Sequence, residues 1–245
     1  MQSPRTPIQE IRDPLFIEKG IRFLVKRDDL NHPVVSGNKF RKLKYNLAQA
    51  KLDGHDTLLT FGGAFSNHIY AVSGAGASFG FKTIGIIRGE AHETLNPTLA
   101  FVQSQGMHLH YMDRDTYRRK SEPEILEQLE KQFGKCYVLP EGGTNALAIK
   151  GCVEIVSEID QEFDVITCPV GTGGTLSGLI SGLNGTKRII GFSALKGDFL
   201  KDEVHTLLQG IDVENFSNWS IQTDYHFGGY AKVKPELISF IQEFE

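Results

Sequence analysis

The sequence predicts an α/β protein with mostly parallel sheets, and three observations support this class. Short apolar runs of five to seven residues alternate with amphipathic stretches along most of the chain. Strand, helix, strand at this spacing is typical of right-handed crossover connections between parallel strands. Glycine also follows the amphipathic stretches at positions 54, 80, 106 and 134, where a helix would end and a positive φ is needed.

Seven segments have the pattern of strands: 21–26, 57–61, 83–88, 108–112, 136–140, 164–170 and 188–194. Helices are predicted at 39–54, 97–106, 122–134 and 144–159, where the apolar residues recur at helical spacing. From the residues alone, the strands could form one sheet or two. The chain has no linker, internal repeat or low-complexity segment, so a second domain would fold closely against the first.

The composition is that of an ordinary globular protein: 245 residues, 40% hydrophobic and 23% charged. A net charge of −4 gives no reason to expect nucleic acid or a membrane surface as a partner. The first fourteen residues, MQSPRTPIQEIRDP, lack the apolar core of a signal peptide. No run of about 18 apolar residues is present. We therefore expect a cytoplasmic protein.

The three cysteines, Cys136, Cys152 and Cys168, are widely spaced and form no CxxC pair. This pattern predicts buried free thiols in a reducing compartment rather than disulfides or a cysteine zinc site. His108 and His110 share one face of a predicted strand, but no cysteine or carboxylate joins them at ligand spacing. No metal site is expected.

The apolar run at 164–170 leads directly into GTGGT at 171–175, and a predicted helix follows. Glycines allow the backbone to approach an anion, and the amino end of a helix adds a partial positive charge. Thr172 and Thr175 add hydroxyl donors. The segment predicts a phosphate-binding turn, with a plain strand-to-helix turn as the alternative.

Two other phosphate motifs do not match this turn. The GxxxxGK[ST] pattern of nucleoside triphosphatases is absent. A dinucleotide fingerprint would require glycine at 176 and an acidic residue at the end of the next strand. Leu176 stands at the first position, and Phe192 and Ser193 stand at the second.

A second glycine turn, GGAFSNH at 62–68, follows the predicted strand 57–61. Ser66 and Asn67 are both favourable residues for capping the amino end of a helix, and capping alone would explain one of them. The same turn also presents N–H groups, a hydroxyl and a carboxamide. It would suit a carboxylate and a phenolic oxygen.

Three lysines and an arginine occur in SGNKFRKLK at 36–44, at the start of a predicted helix. A solvated surface helix is the simplest explanation. However, a lysine near a helix amino end has a lowered pKa, and burial would lower that pKa further. The neutral amine of Lys39 could then form a Schiff base with an aldehyde. An aldehyde, a phenol and a phosphate on one molecule describe pyridoxal phosphate.

The order of these motifs resembles that of pyridoxal-phosphate enzymes of the tryptophan-synthase-β type (fold type II). It is most similar to the 1-aminocyclopropane-1-carboxylate deaminase/D-cysteine desulfhydrase family. The matching stretches are VKRDDLNHPVVSGNKFRKL, TFGGAFSNH, PEGGTNALAIKG, PVGTGGTLSGL and HFGGYAKVKPEL. They cover nearly the whole chain in order.

The resemblance implies the roles of individual residues. Lys39 would hold the cofactor covalently, and Asn67 would bond its phenolic oxygen. Ser66 would hold the substrate carboxylate or assist proton transfer, and Tyr230 would reach the substrate. Lys42 would either support the site or lie on the surface. The phosphate would be bound by Gly171, Thr172, Gly173, Gly174 and Thr175.

The resemblance also implies two three-layer α/β domains. Residues 1–43 and 145–245 would form the larger, cofactor-binding domain, and residues 44–144 the smaller one. The expected activity is conversion of D-cysteine or 1-aminocyclopropane-1-carboxylate to a 2-oxo acid and ammonia, in a homodimer. The partner would be a small amino-acid substrate, with no nucleic acid and no membrane.

The sequence departs from the family's pattern at its end. Members usually continue for several dozen residues past HFGGYAKVKPELISFIQEFE, and that segment carries the group that faces the pyridine nitrogen. A homologue without it is expected to hold the cofactor loosely and to turn over D-cysteine poorly or not at all. The alternatives are therefore a catalytically impaired cofactor-binding protein and a non-enzymatic anion-binding α/β module.

Overall fold

A computed structural model describes residues 4–211, 213, 216–230 and 232–244. The chain divides into two compact units, Met1–Leu139 and Pro140–Glu245, which we call the N-terminal and C-terminal units. The predicted grouping of residues 1–43 with 145–245 in one domain stays a prediction.

The N-terminal unit contains six strands and six helices among its described residues. The strands are β1 Ile8–Ile11, β2 Phe23–Lys26, β3 Thr57–Gly62, β4 Lys82–Arg88, β5 His108–Met112 and β6 Tyr137–Leu139. The helices are α1 Pro14–Glu18, α2 Asn38–Leu52, α3 Asn67–Phe79, α4 Pro97–Ser104, α5 Arg114–Arg118 and α6 Pro123–Phe133.

In the described part of the C-terminal unit there are three strands and four helices. The strands are β7 Val165–Val170, β8 Arg188–Ser193 and β9 Trp219–Gln222. The helices are α7 Ala146–Ser157, α8 Gly174–Leu183, α9 Leu200–Gln209 and α10 Pro235–Phe244.

The main sheet of the N-terminal unit has the order β5-β4-β3-β6, and all of its pairs are parallel. Alternation of side chains along β3 gives the sheet two buried faces. Leu58 packs in one cluster with α2, α3 and α4, whereas Leu59 and Phe61 pack in another with α5 and α6. Helices therefore cover both faces of this sheet, as expected for parallel strands.

Strands β1 and β2 form a separate antiparallel pair, with Ile8 opposite Lys26 and Ile11 opposite Phe23. This pair precedes α2 in the chain. Its second strand ends in the KRDD segment at 26–29, which contacts α2 as described below.

The sheet of the C-terminal unit is fully parallel, in the order β7-β8-β9. Helix α8 packs against it and against α7, where glycine permits a very close approach. A Cβ built on Gly178 would lie 2.3 Å from the Cβ of Cys152. Because atoms cannot approach to that distance, Gly178 is required for α7 and α8 to pack as they do.

The predicted α/β class with mostly parallel sheets is confirmed, and the seven predicted strands correspond to β2–β8 within about two residues. The four helix-terminal glycines have φ between 71° and 85°, as predicted. Strands β1 and β9 were not predicted. They are only four residues long and lie next to polar sequence.

The prediction of three buried thiols is only partly correct. All three cysteines are free, but only Cys152 is buried, whereas Cys136 and Cys168 are half-buried. Partial burial still raises the pKa of the Cys136 thiol, an effect that nearby Asp56 and Glu130 reinforce. Among the described residues, no helix is long and apolar enough to cross a membrane.

We predict that Gly178→Ala lowers the free energy of unfolding by about 1–3 kcal/mol, the usual cost of overpacking. The added methyl group would force α7 and α8 apart at Cys152, which outweighs the roughly 1 kcal/mol by which alanine favours a helix over glycine. Urea unfolding measures the change.

Gly210→Ala is the matched control, because a Cβ at Gly210 meets nothing closer than 3.5 Å. It should change stability by no more than about 0.5 kcal/mol. Equal stability of the two variants would contradict the predicted clash.

Candidate active site

Lys39 is the second residue of α2 and is half-buried. The helix begins after Gly37, whose φ of 67° lies in the left-handed region that glycine adopts without strain. The N-cap residue, Gly37, has no side chain with which to cap this helix end. Lys39 lies in the first turn of the helix, next to the partial positive charge of its amino end.

A buried ion pair joins α2 to the segment that follows β2. Arg41 is fully buried and donates two hydrogen bonds to Asp28, from Nε to Oδ2 at 3.1 Å and from Nη2 to Oδ1 at 2.9 Å. The Asp28 side chain is only 15% exposed. A bidentate pair of this kind fixes orientation as well as distance, so it sets the position of α2 relative to β2.

Two neighbouring side chains, Thr6 and Lys26, also contact the Asp28 carboxylate. The Thr6 hydroxyl donates to Oδ1 at 2.7 Å, and the ammonium of Lys26 lies 3.8 Å from the same oxygen. Lys26 also donates to the Thr6 carbonyl at 2.7 Å. The Asp28 carbonyl accepts from the N–H of Gly37 at 2.9 Å, which closes the loop between β2 and α2.

The burial of Arg41 and Lys42 corrects the simplest explanation of SGNKFRKLK, a solvated helix face. Lys42 is only 2% exposed, so a surface role for it is wrong. Successive helix residues are about 100° apart, so Lys42 lies about 60° round the helix from Lys39. Its support of the site stays a proposal.

Ser66 caps the amino end of α3 as predicted, and its Oγ accepts from the N–H of Ile69 at 3.2 Å. Asn67 is the first helical residue and is exposed. Gly62 makes this turn possible, because a Cβ there would lie 2.5 Å from the Ile69 side chain and 2.7 Å from the Ser66 hydroxyl.

His68, which follows Ser66 and Asn67, is buried, and its Nε2 lies 2.9 Å from the Thr60 hydroxyl. This contact packs the start of α3 against β3.

In the C-terminal unit, residues 171–175 connect β7 to α8. Gly171 is exposed, and a Cβ there would meet nothing within 4 Å. Gly173, the N-cap residue of α8, has a φ of 76° and no side chain that could cap the helix. The first N–H groups of a helix have no partner within it, so this turn can present several donors to an anion.

A second loop braces this turn from within the same unit. The hydroxyls of Thr144 and Thr172 are 2.6 Å apart, and either can donate. A Cβ at Gly142, whose φ is 68°, would lie 2.7 Å from the Thr172 side chain. The PEGGTN segment therefore holds Thr172 in place, a role that its sequence did not reveal.

Tyr230 is 49% exposed and lies outside the helices and strands of the C-terminal unit. Lys39, Ser66 and Asn67 belong to the N-terminal unit, at the amino ends of two helices, α2 and α3, that pack together. Gly171–Thr175 and Tyr230 belong to the C-terminal unit. The roles predicted for these residues remain proposals.

His108 and His110 lie on β5, and the rings of both meet the edge of Phe133, at 5.7 and 5.3 Å between centroids. Burial lowers the pKa of His110, and the charge of His108 lowers it further. Across the part of the chain that the structure describes, no group of three or more His, Cys, Asp or Glu could hold a metal ion.

The fold is that of an α/β protein, with the Lys39 amine at one helix amino end and the glycine-rich turn 171–175 at another. Comparison with known families gives the class: residues 3–244 match the family of pyridoxal-phosphate dependent enzymes. The chain belongs to this family, and its cofactor is pyridoxal 5'-phosphate.

Individual relatives extend the match over most of the chain. A Thermotoga maritima protein, provisionally named a 1-aminocyclopropane-1-carboxylate deaminase, is 31% identical over 97% of this chain and 81% of its own length. A mitochondrial protein of Arabidopsis thaliana, named a bifunctional D-cysteine desulfhydrase/1-aminocyclopropane-1-carboxylate deaminase, is 29% identical over 97% of this chain and 65% of its own.

A solved structure of a 1-aminocyclopropane-1-carboxylate (ACC) deaminase homologue superimposes on this chain with a TM-score of 0.82. It shares 30% identity and covers 97% of this chain and 76% of its own.

The residues present fit the cofactor. Its phosphate suits the amino end of α8, where the N-cap residue is glycine and Gly171 leaves open space for close approach. Its aldehyde suits the Lys39 amine, and its phenolic oxygen suits a donor such as the exposed Asn67 carboxamide.

We predict that Asp28→Asn lowers the free energy of unfolding by about 3 kcal/mol, because it removes the carboxylate that accepts two hydrogen bonds from the buried Arg41. Urea unfolding measures the loss.

Asp29→Asn is the matched control. Asp29 pairs with Arg27 at 2.7 Å, but its side chain is 55% exposed. Loss of an exposed pair should cost less than about 1 kcal/mol. If the two variants were equally stable, Asp28 would not anchor α2.

Proposed function

We propose that this enzyme converts a small amino acid, D-cysteine or 1-aminocyclopropane-1-carboxylate, to a 2-oxo acid and ammonia. The observation that carries the proposal is the likeness to an ACC deaminase homologue, at 30% identity over 97% of the chain. The names of the Thermotoga maritima and Arabidopsis thaliana relatives support the same reaction class.

In this proposal, Lys39 holds the cofactor covalently through Nζ, and the Asn67 carboxamide donates to its phenolic oxygen. Gly171–Thr175 bind its phosphate, mainly through backbone N–H groups at the start of α8. The buried Asp28–Arg41 pair supports this assignment, because it fixes the helix that carries Lys39. The Thr144–Thr172 contact does the same for the phosphate turn.

Pyridoxal phosphate supplies an electron-withdrawing ring that stabilises charge developing at the substrate Cα. Lys39 Nζ takes the proton from Cα of D-cysteine, and the thiol leaves from Cβ with its bonding electrons. Ser66 Oγ binds the substrate carboxylate or relays a proton, and Tyr230 reaches the substrate. With one water consumed, D-cysteine gives pyruvate, ammonia and hydrogen sulfide.

1-Aminocyclopropane-1-carboxylate places a different demand on these residues, because its Cα carries no proton. The ring must open by attack or by proton removal at another carbon. With one water consumed, the products are 2-oxobutanoate and ammonia. Ser66 and Tyr230 are the proposed groups for that step.

We further propose a homodimer in the cytoplasm. The proposal also groups residues 1–43 with 145–245 in the larger, cofactor-binding domain and leaves 44–144 as the smaller one. Size-exclusion chromatography with light scattering tests the oligomeric state.

Although the sequence led us to expect poor turnover of D-cysteine, the names of the relatives lead us to predict that the purified enzyme is yellow and releases pyruvate from D-cysteine. Lys39→Ala should remove both properties. The loss follows because no other amine would hold the cofactor or take the Cα proton. A coupled 2-oxo-acid assay measures the activity, with 1-aminocyclopropane-1-carboxylate as the second substrate. A yellow protein inert towards both substrates would contradict the proposed reaction and favour a catalytically impaired homologue.

Borohydride reduction and peptide mapping locate the covalent link in the same preparation. The pyridoxyl label should appear on Lys39. Lys42 and Lys44, in the same helix, serve as internal controls. A label on either would show that the assignment of Lys39 is wrong.

We predict that Gly171→Val weakens cofactor binding at least tenfold, or about 1.4 kcal/mol. Gly171 has open space around it and no positive φ, so a side chain should obstruct the phosphate without straining the fold. Gly173 suits this test less well, because a Cβ there would lie 3.0 Å from Val204. Fluorescence titration with pyridoxal phosphate gives the affinity.

Thr167→Val is the control for Gly171→Val, since Thr167 is an exposed residue of β7, the strand that leads to Gly171. It should leave both the affinity and the melting temperature unchanged. Unchanged affinity in Gly171→Val would place the phosphate elsewhere.

A further inference from the structure

The N-terminal unit contains a cavity of about 240 Å³ at the carboxyl ends of three neighbouring strands, β3, β4 and β5. Its walls come from the segments that follow these strands: Gly63–Phe65, Arg88–Glu90 and Arg114. Ligands of parallel sheets bind at this edge. The volume is small for a ligand pocket and suits a molecule of few atoms.

The charged groups in the lining are two arginines, Arg88 and Arg114, one carboxylate, Glu90, and the imidazole of His92. Within residues 4–211, 213, 216–230 and 232–244, neither arginine has a carboxylate within 4.0 Å. The Arg88 guanidinium lies 5.9 Å from the centre of the Tyr117 ring. The two arginines outnumber the one carboxylate, so these three groups together carry a charge of about +1, which favours a monoanion.

Glycine keeps space open beside each guanidinium. A Cβ on Gly63 would lie 3.7 Å from Nη2 of Arg88, and one on Gly89 would lie 3.6 Å from Nη2 of Arg114. Gly89 has a φ of 103°, which larger residues rarely adopt. Because both positions are glycine, no side chain from them fills the space beside the two guanidinium groups.

Hydrogen bonds hold these walls in place. Asn96 donates from Nδ2 to the Ala64 carbonyl at 3.0 Å, and its Oδ1 caps α4 by accepting from Leu99 N–H at 2.9 Å. The Gly89 N–H donates to the Met112 carbonyl at 2.8 Å. The cavity is therefore a preformed feature of the unit.

We propose that this cavity binds a small carboxylate, a short amino acid or 2-oxo acid, through Arg88 and Arg114. Guanidinium groups match the planar carboxylate and can bind it with two parallel hydrogen bonds. The site does not depend on Lys39 or on the proposed reaction. It adjoins the turn in which Ser66 N–H donates to the Gly63 carbonyl at 3.0 Å, so a bound carboxylate would stabilise the position of Ser66.

Titration calorimetry on the holoenzyme tests the proposal with two probes that cannot condense with an aldehyde. Pyruvate represents the 2-oxo acids, and N,N-dimethylglycine represents the amino acids. The double variant Arg88→Gln/Arg114→Gln should bind at least one probe tenfold or more weakly than the wild type.

Arg118→Gln/Arg119→Gln is the matched control. It removes the same charge from the neighbouring surface, where both arginines pair with exposed carboxylates, Asp115 and Glu122. It should leave both affinities unchanged. An equal loss in the control would show a general charge effect and overturn the proposal. If a carboxylate binds only at Ser66 and Asn67, neither double variant will change its affinity; that result overturns this site and leaves the proposed function intact.

Glu90→Gln distinguishes an amino acid from a 2-oxo acid as the ligand. Weaker binding of N,N-dimethylglycine alone would identify an amino acid, whose ammonium pairs with Glu90. Tighter binding of pyruvate alone would identify a 2-oxo acid, since a repulsive charge is removed. Unchanged affinity for both probes would contradict a carboxylate in this cavity.

Discussion

Parallel pairing of strands determines where polar groups can gather in this chain. Parallel neighbours need a crossover, so each strand's carboxyl end is followed by a helix that starts at the same edge of the sheet. Strand β3 leads to Ser66 and α3, and β7 leads to Gly171–Thr175 and α8. Both candidate turns, and the cavity lined by Arg88 and Arg114, follow from this single constraint.

Lys39 is positioned by an ion pair rather than by parallel strand pairing. It follows the antiparallel pair β1-β2, and the bidentate contact between Asp28 and Arg41 joins that pair to α2. A buried ion pair adds little net stability compared with apolar packing of the same volume, because both charges lose their hydration. We interpret its value as geometric: it fixes where α2 starts.

Periodicity in the sequence was sufficient to predict β2–β8, the helix-terminal glycines and the Ser66 cap, because each depends on local residues. Strands β1 and β9 depend on pairing partners outside their own four residues, and a local pattern does not contain that information. The two glycine turns and Lys39 could be named in advance because glycine and helix starts have local signatures.

Other features could not be predicted because they depend on contacts distant in the chain. Charged residues are expected at the surface, and the burial of Arg41 is explained only by its contact with Asp28, thirteen positions earlier in the chain. The hydroxyl contact of Thr144 with Thr172 joins two loops twenty-eight residues apart. The cavity lined by Arg88 and Arg114 combines three loops, and the two loops that supply the arginines have no distinctive motif.

The anchoring of α2 has a mechanical consequence. Arg41 lies two residues after Lys39, so the two side chains leave the helix about 200° apart, on nearly opposite sides. Arg41 holds the helix backbone in place through Asp28. In the proposed reaction the Lys39 amine moves between bonding partners, and rotation of its side chain would allow that movement while the helix stays in place. The chain thus carries a fixed guanidinium and the proposed reactive amine within three consecutive residues.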